Sequence, residues 1–420
     1  MSCKIGKGIK IMKKFMAVLV ALMLVLTACG DAGKNQGTTD KKDESTKTET
    51  TKTETTKTET NAKDDAKAQT SDVKIGMLAP LSGPVAEYGV ASSNGTKLAF
   101  EMLNSKNYLE GKNIVPIAYD TEADQTKAVN LFNKLVSNDE IVALVGPVIS
   151  STSLAVAPVA MDENILMITP TGTHLDITPD YPNVFRACFI DPYQGMLAGQ
   201  FAVENLGAKK VAVVYNVGSD YSVGLAKEFT KVVEAAGLEI TNNEGYNEED
   251  KDFSALAAKL KASAPELIFV PDYYNKVGTI VGQFKAAGIE AAFLGGDGWD
   301  GVLANFAKEA EGCYYLTHFS VNDPSNTTSE FVKAYKEKYG VEPSSFAALG
   351  YDAGLVVAEA VKTAGSTNPE DLVKVMENMQ FQGVTGLLQF DEEGNPKNKD
   401  VTVIKVVDGK ATIETKIKGK

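Results

Sequence analysis

"IVALVGPVISSTSLAVAPVAMDENILMITPTGT", residues 141–173, decides how the chain is read. A wholly apolar run, 141–145, leads into four hydroxyl residues in a row, 150–153. A second apolar run, 165–169, then ends in Thr169, Thr171, Gly172 and Thr173. Short apolar runs of this length read as buried strands, and the segment between them reads as a helix. Parallel strands joined by a covering helix end on the same side, so two hydroxyl-rich loops face one another where parallel sheets hold their ligands. Serine and threonine there either cap the next helix or, with the free N–H groups of its first turn, cradle an anion.

The alternation spreads in both directions. Strand-like runs at 73–77 and 114–120 alternate with the helical spacings Leu98/Met102/Leu103 and Ala128/Leu131/Phe132/Leu135. After Arg186 the pattern starts again. Strand-like 211–215, 267–270 and 292–294 alternate with Phe253/Leu256/Leu260 and Val277/Ile280/Phe284. Repeated βα units mean parallel sheets covered by helices, and there are too many units for one small sheet. The expected fold is α/β with two Rossmann-like lobes.

The N-terminus reads as an address. Lysines 4, 7, 10, 13 and 14 precede an apolar stretch, 15–26, too short to favour a spanning helix, and Met12 is an equally good start. The run Leu26-Thr27-Ala28-Cys29-Gly30 resembles a bacterial lipoprotein box, which implies cleavage after residue 28 and a lipid on Cys29; the alternative is an ordinary secretory signal with an incidental cysteine. Residues 31–71 carry the unit TKTET three times and no large apolar side chain. Such a segment cannot offset the entropy of ordering and reads as a tether reaching on the order of 35 Å. Thirteen lysines and nine acids lie before position 72, leaving 29 cationic and 46 acidic residues, a net of −17, on the body. That charge excludes a nucleic-acid binder and disfavours anionic lipid surfaces. Cys188 and Cys313 either pair or sit apart in the core. No cysteine or histidine spacing suggests a metal.

Enzyme readings find little support. Residues 296–301 fit G-x-G-x-x-G, but they come late in the chain with no ribose-binding acid about 20 residues on. His174, Asp176 and Ser150 can be drawn as a hydrolase triad, yet no G-x-S-x-G elbow exists. Arg186 is the only arginine, so bidentate capture of a carboxylate has one candidate. Hydroxyls and N–H groups without a cation suit a guest whose own charges cancel, such as a zwitterion.

Five stretches carry a resemblance: residues 73–104, the 146–173 loops, "NVGSDYSVGLAKEF" (216–229), "NEEDKDFSALAAKLKASAPELIFV" (247–270) and "FLGGDGWDG" (293–301). In this order, over about 73–394, they resemble the type I periplasmic binding proteins for branched-chain amino acids, the capture subunits of ABC importers. The resemblance implies a Venus-flytrap of two lobes, 72–191 with 322–390 and 192–321 with 391–420, joined by three crossover segments. It implies that Ser150 and Thr173 hold a ligand carboxylate through hydroxyl and N–H groups, and that the Thr171 carbonyl receives an ammonium. Val148 and Ile149 line the side-chain pocket, with Tyr88 from the first lobe and Tyr221 and Tyr273 from the second. Asp297 stands where the best-known members carry a glutamate that pairs with the ammonium, and Trp299 is either a pocket wall or a core residue. The expected protein is then a monomeric, lipid-anchored receptor outside the cell membrane, without cofactor or enzymatic activity, that hands an amino acid to a permease. A receptor for an amide or small carboxylate, or a sensing lipoprotein, is the alternative.

Overall fold

Residues 72–324 and 326–419 are described by a computed structural model. The leader, Cys29 and the tether lie outside the described residues. Five strands build the first sheet: β1 (Val73–Ala79), β2 (Ile114–Asp120), β3 (Ala143–Val145), β4 (Leu166–Thr169) and β5 (Val184–Arg186). Their order is β2-β1-β3-β4-β5, parallel throughout. Helices α1 (Ala86–Ser105), α2 (Gln125–Ser137) and α3 (Ser150–Asp162) connect the first four, and a loop with one 3-10 turn, Leu175–Ile177, leads to the fifth. The sheet is covered on both faces, so its strands are apolar on both sides rather than alternating. β3 is buried throughout.

The chain then leaves for a second sheet through α4 (Asp191–Glu204). There it forms β6 (Lys210–Asn216), α5 (Asp220–Ala235), β7 (Glu239–Tyr246), α6 (Ser254–Ser263), β8 (Leu267–Phe269), α7 (Tyr274–Ala286), β9 (Ala292–Gly295), α8 (Val302–Phe306) and β10 (Tyr314–Thr317). It returns to the first lobe with α9 (Asn326–Tyr339), α10 (Ser345–Ala364), α11 (Pro369–Glu377) and the hairpin of β11 (Phe381–Gly383) and β12 (Gly386–Leu388). A third passage ends in β13 (Val401–Val407) and β14 (Lys410–Ile417), antiparallel additions to the edge of the second sheet. The second sheet runs β14-β13-β10-β9-β8-β6-β7.

The return of α10 is fixed by packing. Leu349, Ala353, Val356 and Val357 share a core with Val73, Ile75 and Phe100 of the first lobe. Close approach to α1 depends on two glycines. A Cβ on Gly95 would lie 2.0 Å from the Ala347 carbonyl oxygen, and one on Gly350 would lie 2.2 Å from that of Ser92. At the third passage Lys399, buried, donates to the Thr385 carbonyl at 2.9 Å and hydroxyl at 2.8 Å, and that hydroxyl donates to Asp352 at 2.6 Å. Burial lowers the Lys399 ammonium to about 8 against the opposing pull of Asp352.

Where sequence and structure differ, the backbone gives the reason. The run 141–145 shortens to Ala143–Val145 because the Ile141 N–H turns back to the Leu135 carbonyl at 3.2 Å and closes α2. Cys188 and Cys313 are both free and buried in different cores, and burial raises their thiols to about 12 and about 11. They do not pair.

Candidate ligand-binding site between the two sheets

Gly146 ends β3 at φ +126°, where a Cβ would lie 2.4 Å from the Leu78 carbonyl oxygen, so only glycine fits. From there the chain runs through Val148 and Ile149, both buried, into α3. No side chain among the described residues caps α3. Thr152 and Ser153 instead donate to the carbonyls of Ile149 (2.9 Å) and Pro147 (3.0 Å), while Thr169 donates to Pro147 (2.7 Å) and Thr171 to Val148 (2.6 Å). Thr169 and Thr171 therefore lace the second loop to the first, while Thr152 and Ser153 bond within the first. Ser150 differs: its Oγ accepts from the N–H groups of Thr173 at 3.2 Å and His174 at 3.4 Å.

The second loop is held from behind. Arg186, fully buried, donates to the carbonyls of Gly172 (3.0 Å), His174 (2.8 Å) and Leu175 (3.2 Å) and to the Thr178 hydroxyl (3.1 Å). The lone arginine thus supports the loop through its carbonyls. Those bonds leave the Thr173 and His174 N–H groups on Ser150. His174 is half-buried, and its Nδ1 accepts from the Asp176 N–H at 3.3 Å, so it is not arranged as the base of a triad.

The opposite wall comes from the second sheet. Tyr221, one residue into α5, stacks on Tyr273 at 5.0 Å between ring centroids. Its hydroxyl donates to Asp297 Oδ1 at 3.0 Å and accepts from the Gly298 N–H at 3.0 Å. Asp297 is 3 % exposed. Gln194 of α4 holds it twice, donating to Oδ1 at 2.9 Å and accepting from its N–H at 2.7 Å. His318, just past β10, lies 3.2 Å from Oδ2 and stacks on Phe189 at 3.6 Å. Burial pushes the His318 imidazole down and favours its neutral form, although Asp297 pulls the other way. Asp297 is a buried carboxylate with no permanently cationic side chain among its hydrogen-bond partners.

The two walls touch. Tyr88 of α1 donates to the Gly298 carbonyl and accepts from the Tyr274 N–H at 2.9 Å. Its ring stacks on Phe346 at 4.1 Å and meets Tyr273 edge-on at 5.6 Å. Tyr274 donates to the Pro84 carbonyl at 3.0 Å, and the Ser345 N–H donates to Asp300 at 2.6 Å. Trp299 is fully buried, donates to the Val270 carbonyl at 2.7 Å and stacks on Tyr315 at 6.5 Å, so it offers a ligand no polar group. Gln194, His318, Tyr274 and Phe346 escaped the sequence reading. His318 had a signal, since it directly follows a strand in the sheet that carries Asp297. The surface hollow of about 380 Å³ lined by Asp180, Tyr181 and Glu393 contains none of the candidate residues.

Two parallel-sheet lobes with strand-end loops meeting across an interface define a type I bilobal binding protein. The chain belongs to the periplasmic binding protein family, whose profile matches residues 72–411. It is 34% identical over 345 residues to the leucine-, isoleucine-, valine-, threonine-, and alanine-binding protein of Pseudomonas aeruginosa, covering 79% of this chain and 89% of that one. Among solved structures it resembles a branched-chain amino acid transporter substrate-binding protein of Streptococcus pneumoniae, in complex with isoleucine (32% identity, TM-score 0.78, 83% and 99% covered). It also resembles an ABC transporter solute-binding protein of Rhodopseudomonas palustris in complex with 3,4-dihydroxybenzoic acid (26% identity, TM-score 0.75, 83% and 98% covered).

Proposed function

We propose that this chain is the extracytoplasmic receptor of an ABC importer, and that it carries an amino acid with an aliphatic side chain between its lobes. The lobes are 72–191 with 322–390 and 192–321 with 391–420. Asp297 carries the reading: a buried carboxylate whose hydrogen-bond partners include no lysine or arginine is suited to a ligand's ammonium. Ser150, with its oxygen accepting two N–H groups, keeps its own proton to donate to the ligand carboxylate, and the free N–H groups at the start of α3 add to it. Thr173 supports that end, and the Thr171 carbonyl takes a share of the ammonium. Val148, Ile149, Tyr221 and Tyr273 border the side chain, and burying a branched aliphatic group there stabilises the complex by about 1.5–3 kcal/mol. Contacts to both lobes favour the closed form, which the permease reads. The receptor works as a monomer without turnover, held at the outer face of the membrane by a lipid on Cys29 and the 30–71 tether.

An aromatic acid without an ammonium would leave Asp297 buried and unsatisfied, which favours amino acids over the dihydroxybenzoate class. Thermal shift of the purified body against the twenty amino acids and a set of aromatic acids tests this. Stabilisation by leucine, isoleucine, valine, threonine or alanine is expected, growing with the logarithm of concentration above Kd. A shift with benzoates and none with amino acids would refute it.

A further inference from the structure

The lobes also meet through His174, whose side chain the proposed function leaves unused. Helix α3 of the first lobe approaches α5 of the second, and His174, at the end of the Thr171–Thr173 loop, packs on Gly224 of α5. A Cβ on Gly224 would lie 3.2 Å from the imidazole Cδ2 and 3.6 Å from Nε2, so any side chain there would crowd the ring.

The same ring caps a turn of its own lobe. Its Nδ1 accepts from the Asp176 N–H at 3.3 Å and so starts the 3-10 turn Leu175–Ile177. The Leu175 carbonyl of that turn is one of the groups that Arg186 holds, and the His174 N–H is one of the two on Ser150. One residue therefore joins the second lobe, the turn and the ligand loop.

That arrangement fits one protonation state. A neutral imidazole has one donor and one acceptor, whereas an imidazolium has two donors and no acceptor. With Nδ1 accepting, the ring's proton sits on Nε2. A second proton would have to go on Nδ1, where it would face the Asp176 N–H donor to donor and break the cap. It would also set a half-buried cation beside the start of α5, the positive end of that helix.

Resting on the proposed function, we propose that His174 is a pH-sensitive latch between the lobes: neutral, it fastens the closed receptor; protonated, it lets the lobes part and the ligand leave. Histidine is the side chain that ordinarily changes charge between pH 5 and 8. Charged groups face this one from each neighbouring element. Asp176 on its own turn and Asp220 at the first position of α5 favour the imidazolium, while Arg186 of β5 and Lys227 of α5 oppose it. Asp191 of α4 comes near the same glycine, its Oδ2 3.3 Å from the Cβ position, and burial holds that carboxyl toward its neutral form. Burial is the largest influence on His174, and the balance holds its imidazole below the ordinary value. When the lobes part, water reaches the ring and the value returns toward about 6.5. The proton thus binds the open form better. Affinity is full above the open-form value and falls as pH drops through it, by at most about tenfold per unit, until the closed-form value is passed.

The test uses the full chain and L-leucine, whose two charges do not change between pH 5 and 7.5, with L-alanine as a second probe. The sequence holds two histidines, so backbone assignment by NMR separates their imidazole resonances. The His174 ring should titrate at lower pH in the ligand-saturated protein than in the ligand-free one. By calorimetry, the wild-type Kd should rise as pH falls from 7.5 to 5. His174→Asn keeps an oxygen that can accept the Asp176 N–H but has nothing to titrate. Its Kd, compared with its own value at pH 7.5, should rise at least about threefold less than the wild type's. His318 and the buried acids are the same in both proteins, so their share of the pH dependence cancels in the comparison. An equal rise in both, or one His174 titration point with and without ligand, overturns the latch and leaves the receptor reading standing. No binding of either amino acid at pH 7.5, with no stabilisation in the thermal screen, overturns the proposed function and this inference together.

Discussion

At Ser150 a single oxygen accepts from two backbone N–H groups, 3.2 and 3.4 Å away, and this polarises the one proton it has to give. Ser150→Ala removes that donor and unties the Thr173 loop, but it leaves the start of α3 intact. The expected cost in ligand affinity is about 1–3 kcal/mol by calorimetry. Asp297 is a different case. Gln194, Tyr221 and His318 hold it in place, and under the proposed function Asp297→Ala would leave the ligand's ammonium short of its acid while orphaning those neighbours. Affinity should fall by about 2–5 kcal/mol, and an unchanged Kd would move the ammonium elsewhere. Tyr88 shows what residue type alone conceals. The resemblance makes it a ligand contact, and in the structure its hydroxyl is engaged by Gly298 and Tyr274 of the other lobe.

Elements were legible to the degree that local pattern decides them. Strand β2, Ile114–Asp120, stands where its apolar run put it. Residue 141 was lost to α2 through a helix-closing hydrogen bond that hydropathy does not register. The hydroxyl loops were visible as strand ends, but which hydroxyls lace the loops together and which one accepts backbone N–H groups instead depends on contacts 16 to 23 residues apart in sequence. Gln194 was invisible for the same reason: a glutamine near a helix start is ordinary until the sheet across from it is placed. The pairing of α1 with α10 is the extreme instance, joining segments some 250 residues apart through glycines that carry no hydrophobic signal. Gly350→Ala pushes a methyl into the Ser92 carbonyl and forces the helices apart. A loss of about 1–3 kcal/mol in denaturant midpoint analysis is expected, with ligand contacts untouched.

For the whole molecule, the lobes meet through an apolar cluster that includes Val85, Tyr88 and Phe346 of one and Tyr274 and Trp299 of the other, and through the hydrogen bonds of Tyr88 to Gly298 and Tyr274, Tyr274 to the Pro84 carbonyl, and Ser345 to Asp300. These are stabilising only in the closed arrangement, so they set the population of closed receptor before any ligand arrives. Tyr88→Phe keeps the ring stack on Phe346 and deletes both hydrogen bonds of the hydroxyl. Closure should weaken by about 1–3 kcal/mol, read as a larger radius of gyration in solution scattering and a raised Kd, with the melting temperature of the separate lobes little changed. The same geometry equips the protein with a built-in optical probe. Trp299 is its one indole, sealed in the second lobe and bonded to Val270, directly beside the glycine whose carbonyl Tyr88 grips. Opening of the kind the proposed function requires is expected to free that neighbouring peptide and alter the field around the ring. Unlabelled emission spectroscopy can therefore follow the flytrap's motion in real time, with no dye attached and no residue changed.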